Sequence, residues 1–180
     1  MDLADNTVFF DLETQRLLDE VGGRANIRQL GLAAAVTYSS AQQAYHRYTE
    51  SRVQDLVLEL KSADLVVGYN VLGFDYEVLR GYTSEPLDRL PTMDLMDHLA
   101  QRLGFRVSLE SVATATLRIG KSADGLQAVR WYRQGLLDKV LEYCQKDVEV
   151  TKALYEHGRQ YKVVYYWDRQ YRRQMVPVRW

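Results

Sequence analysis

The sequence predicts an α/β domain built on a mixed β-sheet flanked by helices. Three features carry that expectation. Short apolar runs at Thr7–Leu12 and Leu65–Tyr69 read as buried strands. The segment Leu136–Tyr161 sets Val140, Leu141, Cys144, Val148, Thr151 and Leu154 at intervals of three and four, the spacing of a helix that buries one face. Strands gathered early, followed by strand–helix alternation, argue an α/β or α+β arrangement. A chain of 180 residues, 47% hydrophobic and 26% charged, is ordinary for one globular domain with a sizeable core. The expectation is therefore a single domain over residues 1–180, with a core at 7–158 and an extension at 159–180.

The elements follow in order. After the first strand, Gly22 and Gly23 with Arg24 and Asn26 read as a turn. Ile27–Tyr38 and Tyr45–Thr49 read as the second and third strands. Arg52–Lys61 carries Val53, Leu56, Val57 and Leu60 at helical spacing. Leu65–Tyr69 is the fourth strand, and a helix opens at Tyr76–Tyr82. Asp94–Leu103 reads as a helix with Leu95, Leu99 and Leu103 in register, and Ser108–Thr116 as another with Ser108 as its cap. After the long helix, Lys162–Tyr166 and Met175–Trp180 flank Asp168–Arg173 as a closing β-hairpin.

Composition narrows the chemistry. Cys144 is the one cysteine, which excludes an internal disulfide and a thiolate zinc cluster within one chain. No apolar run approaches the roughly 20 residues that span a bilayer, so no membrane is expected. The start, Met1 to Asp5, lacks the basic and apolar regions of a secretion signal, and the expected compartment is the cytoplasm. The net charge of −1 conceals an asymmetry: residues 159–180 hold six basic residues and one acid, Asp168, so the preceding residues are acidic. An acidic body suits a carboxylate metal site and a basic tail suits phosphate contact, although charge runs are more often solvated faces.

Three short segments carry chemistry. In Phe10-Asp11-Leu12-Glu13-Thr14, strand alternation points Asp11 and Glu13 to the same face. Two such carboxylates repel each other unless a cation lies between them, and oxygen ligands favour Mg²⁺ or Mn²⁺. An isolated D-x-E is more often two solvated acids at a strand end. In the segment from Val67 to Asp75, an apolar strand runs into a loop holding Asn70, Gly73, Phe74 and Asp75, where α/β sheets build sites. Asp75 as a helix N-cap is an equal reading. In Tyr143-Cys144-Gln145-Lys146-Asp147, a helix projects Tyr143 and Asp147 together. Cys144 falls on the apolar stripe and reads as core. Asp94 and His98 share a helical face, but with no third ligand in a recognisable spacing, His46, His98 and His157 read as surface or satisfied residues.

Together these segments, in the order D-x-E, N-x-x-x-F-D and Y-x-x-x-D, resemble the DEDD exonuclease superfamily in its tyrosine subclass. They are most similar to the proofreading exonuclease domain of family B DNA polymerases and to stand-alone prokaryotic domains like it. The resemblance runs from about Val8 to Gly158. The histidine subclass would place histidine at position 142, where this chain has Glu142.

The resemblance implies a ribonuclease-H-like sheet and a two-metal-ion 3′→5′ exonuclease that releases 5′-mononucleotides. Asp11 would bridge two divalent ions, Glu13 and Asp147 would complete the shell of one, and Asp75 would hold the other, partly through water. Tyr143 would orient the attacking water. Thr14 matches a position whose backbone meets the terminal 3′-hydroxyl, and Leu17 matches an apolar wedge between the last two bases, with a buried loop leucine as its alternative. Asn70 would fix its loop, Phe74 would stack near the terminal nucleotide or serve as core, and Lys121 would reach the scissile phosphate or stand in solvent.

The extension interleaves its six basic residues with Tyr161, Tyr165, Tyr166, Trp167, Tyr171 and Trp180. That pattern reads either as a grip for single-stranded nucleic acid or as a hairpin packed on the domain with its arginines in water. The expected substrate is single-stranded nucleic acid with a free 3′ end, DNA ahead of RNA, with a helicase or repair protein as a partner by fold analogy. The alternative is a binding or scaffold module that keeps the fold without cutting. Loss of an acid would signal that module, and none of the four is missing.

Overall fold

A computed structural model describes residues 6–119 and 125–180. Strands β1 (Thr7–Thr14), β2 (Leu32–Ser39), β3 (Ala44–Tyr48), β4 (Leu65–Gly68) and β5 (Thr92–Asp94) form one sheet in the order β3-β2-β1-β4-β5. β1 pairs antiparallel with β2, and β2 with β3, whereas β1–β4 and β4–β5 are parallel. Helices α1 (Val53–Ser62), α2 (Tyr76–Leu79), α3 (Leu95–Leu103), α4 (Leu109–Leu117), α5 (Gly125–Arg133) and α6 (Leu137–Tyr161) surround it, and β6 (Val163–Trp167) pairs with β7 (Arg173–Pro177) as a separate hairpin.

β1 sits at the centre of the sheet, and seven of its eight residues are buried. Its alternation sorts side chains to opposite faces. Val8, Phe10 and Leu12 join a core with Leu56, Val57 and Leu60 of α1 and Val78 and Leu79 of α2. Phe9 joins the opposite core with Leu95 and Leu99 of α3 and Val140, Cys144, Val148 and Leu154 of α6. Full burial of each such side chain contributes roughly 1.5–3 kcal/mol. Asp11 and Glu13 share the Phe9 face and therefore look toward α6. A register shift between Glu13 and Thr14 on the β1–β2 ladder turns the chain immediately beyond the second acid.

The hairpin closes the α6 face. Val164, Val176 and Val178 are each at most 2% exposed, and Trp180 donates its indole N–H to the Tyr155 carbonyl at 2.9 Å. Its apolar half is thus structural, as one of the two readings of the extension holds. Among the histidines, His46 pairs with Glu59 at 2.7 Å and His98 accepts from the Arg179 N–H at 3.4 Å. His157 departs from expectation, because its buried Nε2 has no hydrogen-bond partner among the described residues.

Several boundaries differ from the sequence reading. Ile27 belongs to a 3-10 turn at Arg24–Gln29 rather than to a strand, and β2 begins only after Gly31, whose φ of 73° interrupts extended structure. The helix after Asp75 is a single turn, Tyr76–Leu79, and the hairpin strands lie at Val163–Trp167 and Arg173–Pro177. β5 and α5 were not expected. β4 ends at Gly68, where a Cβ would overlap the Val71 side chain and press on the Phe10 carbonyl oxygen. Gly68→Ala is expected to lower stability by about 1–3 kcal/mol, read as a reduced urea midpoint.

Candidate active site

The site forms where three elements converge at one end of the sheet. β1 supplies Asp11 and Glu13, the loop after β4 supplies Asp75, and α6 crosses over β1 and supplies Tyr143 and Asp147. Asp11, Glu13 and Asp147 bring one carboxylate oxygen each within 4.8 Å of one another. Tyr143 lies one helical turn before Asp147 on α6, so the two side chains share a face and its hydroxyl acts on the Asp147 carboxylate.

Asp75 adjoins this group without entering it. Its backbone is helical (φ −60°, ψ −45°) and its side chain makes no N-cap bond, which rules against the capping reading. Instead its Oδ1 accepts the Leu12 N–H at 3.1 Å, fixing the loop to β1 between the two β1 acids. Asp75 is 3% exposed.

The electrostatics follow from placing like charges together in a largely buried location. Burial pushes Asp11 well above the usual carboxylate range, and repulsion from Asp75, Asp147 and Glu13 adds to it. Glu13 is raised by burial and then by Asp147 and Asp75. Asp75 is pushed up to about 8 by burial, against the pull of the Leu12 N–H, and Asp147 is pushed up to about 6 by burial, against the pull of the Tyr143 hydroxyl. Burial and the neighbouring Asp147, Glu13 and Asp11 raise Tyr143 far enough that its hydroxyl stays protonated.

Four acids in one place are costly without a compensating cation. The residues present fit one. Every donor is a carboxylate oxygen, and the nearby Cys144 thiol, raised by burial and by Asp11 and Glu13, stays protonated and is no thiolate ligand. An all-oxygen set suits a hard divalent cation such as Mg²⁺ or Mn²⁺.

Two residues read as bland take part. Cys144 is fully buried, as expected of core, but its Sγ lies 3.2 Å from the Asp11 carbonyl oxygen and 3.4 Å from Asp11 Oδ2, donating to the acid. Its position three residues before Asp147 was the available signal. Asp94, 5% exposed, caps α3 through the Met96 and Asp97 N–H groups and also accepts the N–H groups of Asn70 at 2.8 Å and Leu72 at 3.0 Å. It thereby holds the loop in which Asn70 adopts φ 67° and residues Val71–Asp75 form one π-helical turn. The signal was an acid immediately before the periodic run of α3. Asp94→Ala is expected to lose about 2–4 kcal/mol in urea titration, because buried N–H groups on two elements lose their acceptor.

Beside Glu13 lies a cleft of ≈ 330 Å³ lined by Thr14, Leu17, Phe74 and, from α5, Leu126 and Val129. The structure therefore brings Thr14, Leu17 and Phe74 together next to the acids. Thr14 is buried, with its hydroxyl donating to the Arg16 carbonyl at 2.9 Å. Asn70 stays outside the cleft, on the loop that leads to Phe74 and Asp75. Lys121 lies outside the described residues. Sequence reasoning missed Leu126 and Val129; their three-residue spacing was the only sign.

Among curated proteins, none matches the chain in sequence. Among solved structures, the family B DNA polymerase from the hyperthermophilic archaeon Pyrobaculum calidifontis is similar in fold, with a TM-score of 0.63 at 18% identity. The match covers 86% of this chain and 24% of the polymerase, so the chain spans about a quarter of that protein's length. No helix among the described residues is long and apolar enough to cross a membrane. The mixed five-stranded sheet with its acid-bearing central strand agrees with a family model that matches residues 8–158, and on that match the chain belongs to the RNase_H superfamily.

Proposed function

We propose that this protein is a metal-dependent 3′→5′ exonuclease of the tyrosine type. It would remove 5′-mononucleotides from single-stranded nucleic acid, DNA in preference to RNA. The observation that carries the reading is the convergence of Asp11, Glu13 and Asp147 within 4.8 Å, with Tyr143 on the Asp147 face of α6 and Asp75 alongside. The lean toward DNA rests on the likeness of the motifs to those of DNA proofreading domains.

Asp11, Glu13 and Asp147 would hold a divalent ion, and Asp75 beside them would help to hold a second. Bound Mg²⁺ or Mn²⁺ supplies charge that favours hydroxide over water and steadies the leaving 3′-oxygen. Tyr143, kept neutral by its surroundings, offers its hydroxyl to orient the attacking water. The cleft takes the terminal nucleotide: the Thr14 backbone meets the 3′-hydroxyl, Leu17 and Phe74 flank the base and sugar, and Asn70 keeps the loop in shape, while Lys121, outside the described residues, is the residue that the motif resemblance assigns to the scissile phosphate. One water is consumed per nucleotide. Its oxygen bonds to phosphorus, the bond to the penultimate 3′-oxygen breaks, and that oxygen ends as a hydroxyl. A helicase or repair protein that exposes 3′ ends is the partner this activity would serve.

The test is a ladder assay on 5′-labelled single-stranded DNA and RNA of matched sequence, with Mg²⁺, Mn²⁺ or EDTA. Shortening from the 3′ end that needs metal is the expected result, faster on DNA. Binding of either strand without shortening under any metal would replace this reading with that of a non-cleaving binding module.

A further inference from the structure

We propose that the β6–β7 hairpin and the α3–α4 loop form a second contact surface for the substrate, gripping the single strand upstream of its 3′ end. This rests on the proposed exonuclease reading for the direction of the strand, though not for the existence of the surface.

Three rings stand exposed on this face. Phe105 is 51% exposed and meets Tyr166 edge-on at 5.9 Å, Trp167 is 39% exposed, and Tyr171 is 88% exposed at the hairpin turn. Exposed aromatic faces without apolar cover stack readily on unpaired bases. Their framework is rigid. The Trp167 backbone N–H donates to Ser111 Oγ at 3.0 Å, the Ser111 hydroxyl donates back to the Trp167 carbonyl at 3.2 Å, and the Trp167 indole N–H donates to Thr114 Oγ1 at 3.1 Å. Asp168 ties the turn by accepting the Gln170 and Arg172 N–H groups at 2.8 and 2.9 Å.

The charge suits a polyanion. Asp168, the acid of the hairpin, is spent inside the turn on Arg172 and Gln174. Glu110 lines the outer part of the face and has an interaction of its own. Arg106 and Arg169 have no carboxylate partner among the described residues. Both line a cleft of ≈ 580 Å³ between the α3–α4 loop and the hairpin. Continuity with the active site comes from Arg106, whose Nη2 lies 3.9 Å from where a Cβ on Gly73 would stand, beside the loop that carries Phe74 and Asp75. A strand leaving the acids past Gly73 meets Arg106 next, then the rings of the hairpin. A duplex hides its base faces and would gain only the arginines.

Two variants test this away from the acids, Tyr171→Ala and Arg169→Glu. Binding of an oligodeoxynucleotide of about 16 nucleotides is read by fluorescence anisotropy without metal, in the Asp11→Asn background so that no strand is cut. Hydrolysis of the p-nitrophenyl ester of thymidine 5′-monophosphate, too small to reach the hairpin, is read with Mn²⁺ in the Asp11 protein. Each variant is expected to raise Kd about tenfold while leaving ester hydrolysis within twofold, and Arg169→Glu to flatten the salt dependence of binding. Single-strand affinities of both variants within twofold of the parent would overturn the surface, as would tighter binding of blunt duplex than of single strand by the parent. Failure of the parent to cut anything would instead sink the exonuclease reading, and the binding results would stand independently of it.

Discussion

Asp11→Asn is expected to abolish metal-dependent cleavage while making the metal-free protein more stable. Asp11 faces Glu13, Asp147 and Asp75 at once, so one substitution removes the central ligand of the proposed site. Ligation to a catalytic cation is worth several kcal/mol in the transition state, so a rate loss of about 10³-fold or more follows. The same substitution deletes a half-buried charge that its neighbours repel. An asparagine amide in its place can donate to Glu13 or Asp147, turning repulsion into a hydrogen bond. The gain in metal-free stability at pH 8 is expected to be on the order of 1–3 kcal/mol. The two readouts are a ladder assay and a urea titration in EDTA. Loss of activity together with loss of stability would mean that Asp11 serves folding, and the cation-site reading would fail.

The opposed signs also explain which parts of this molecule could be read from its sequence. β1 was legible because one rule, alternation, governs both burial and chemistry: Phe9 enters the core on the face from which Asp11 and Glu13 meet α6. α6 was legible because its stripe repeats over about four turns, from Val140 to Leu154. The three-residue β5 has no period to detect, and it is a strand only because β4 lies beside it. α5 is only nine residues long and interleaves its apolar side chains with Gln127, Arg130 and Arg133, so its face went unread, yet it delivers Leu126 and Val129 to the cleft. The acids were legible by identity and order, but their conformations were not. That Asp75 would bind the Leu12 N–H, and that Asp94 would hold the Asn70 loop, depend on backbone brought together by the sheet. Residues separated in sequence by 63 and 24 positions leave no local pattern.

The second large effect is a coupling between pH and metal. A carboxylate whose folded pKa lies above its unfolded value stabilises the fold at low pH and loses that contribution as pH rises through the folded pKa. Asp147, at about 6, and Asp75, at about 8, both lie above the ordinary 3.8. Asp11 and Glu13 shift in the same direction. The metal-free protein therefore holds more protons folded than unfolded from about pH 4 to 8, and its stability falls across that window. Asp168 shifts the opposite way, to about 2, so its contribution is lost only in stronger acid and does not interfere. A divalent cation replaces those protons as the compensating charge, which makes its binding tighter as pH rises. Scanned in EDTA, the melting temperature is expected to fall between pH 5 and pH 8 by roughly 5–15 °C. Millimolar Mn²⁺ is expected to restore most of that difference at pH 8 and to add little at pH 5, where protons already occupy the acids. In Asp11→Asn the response to Mn²⁺ should nearly vanish at both pH values. An equal shift at pH 5 and pH 8 in the parent protein would place the cation at a surface site that does not compete with protons, and would remove the metal from the carboxylate cluster.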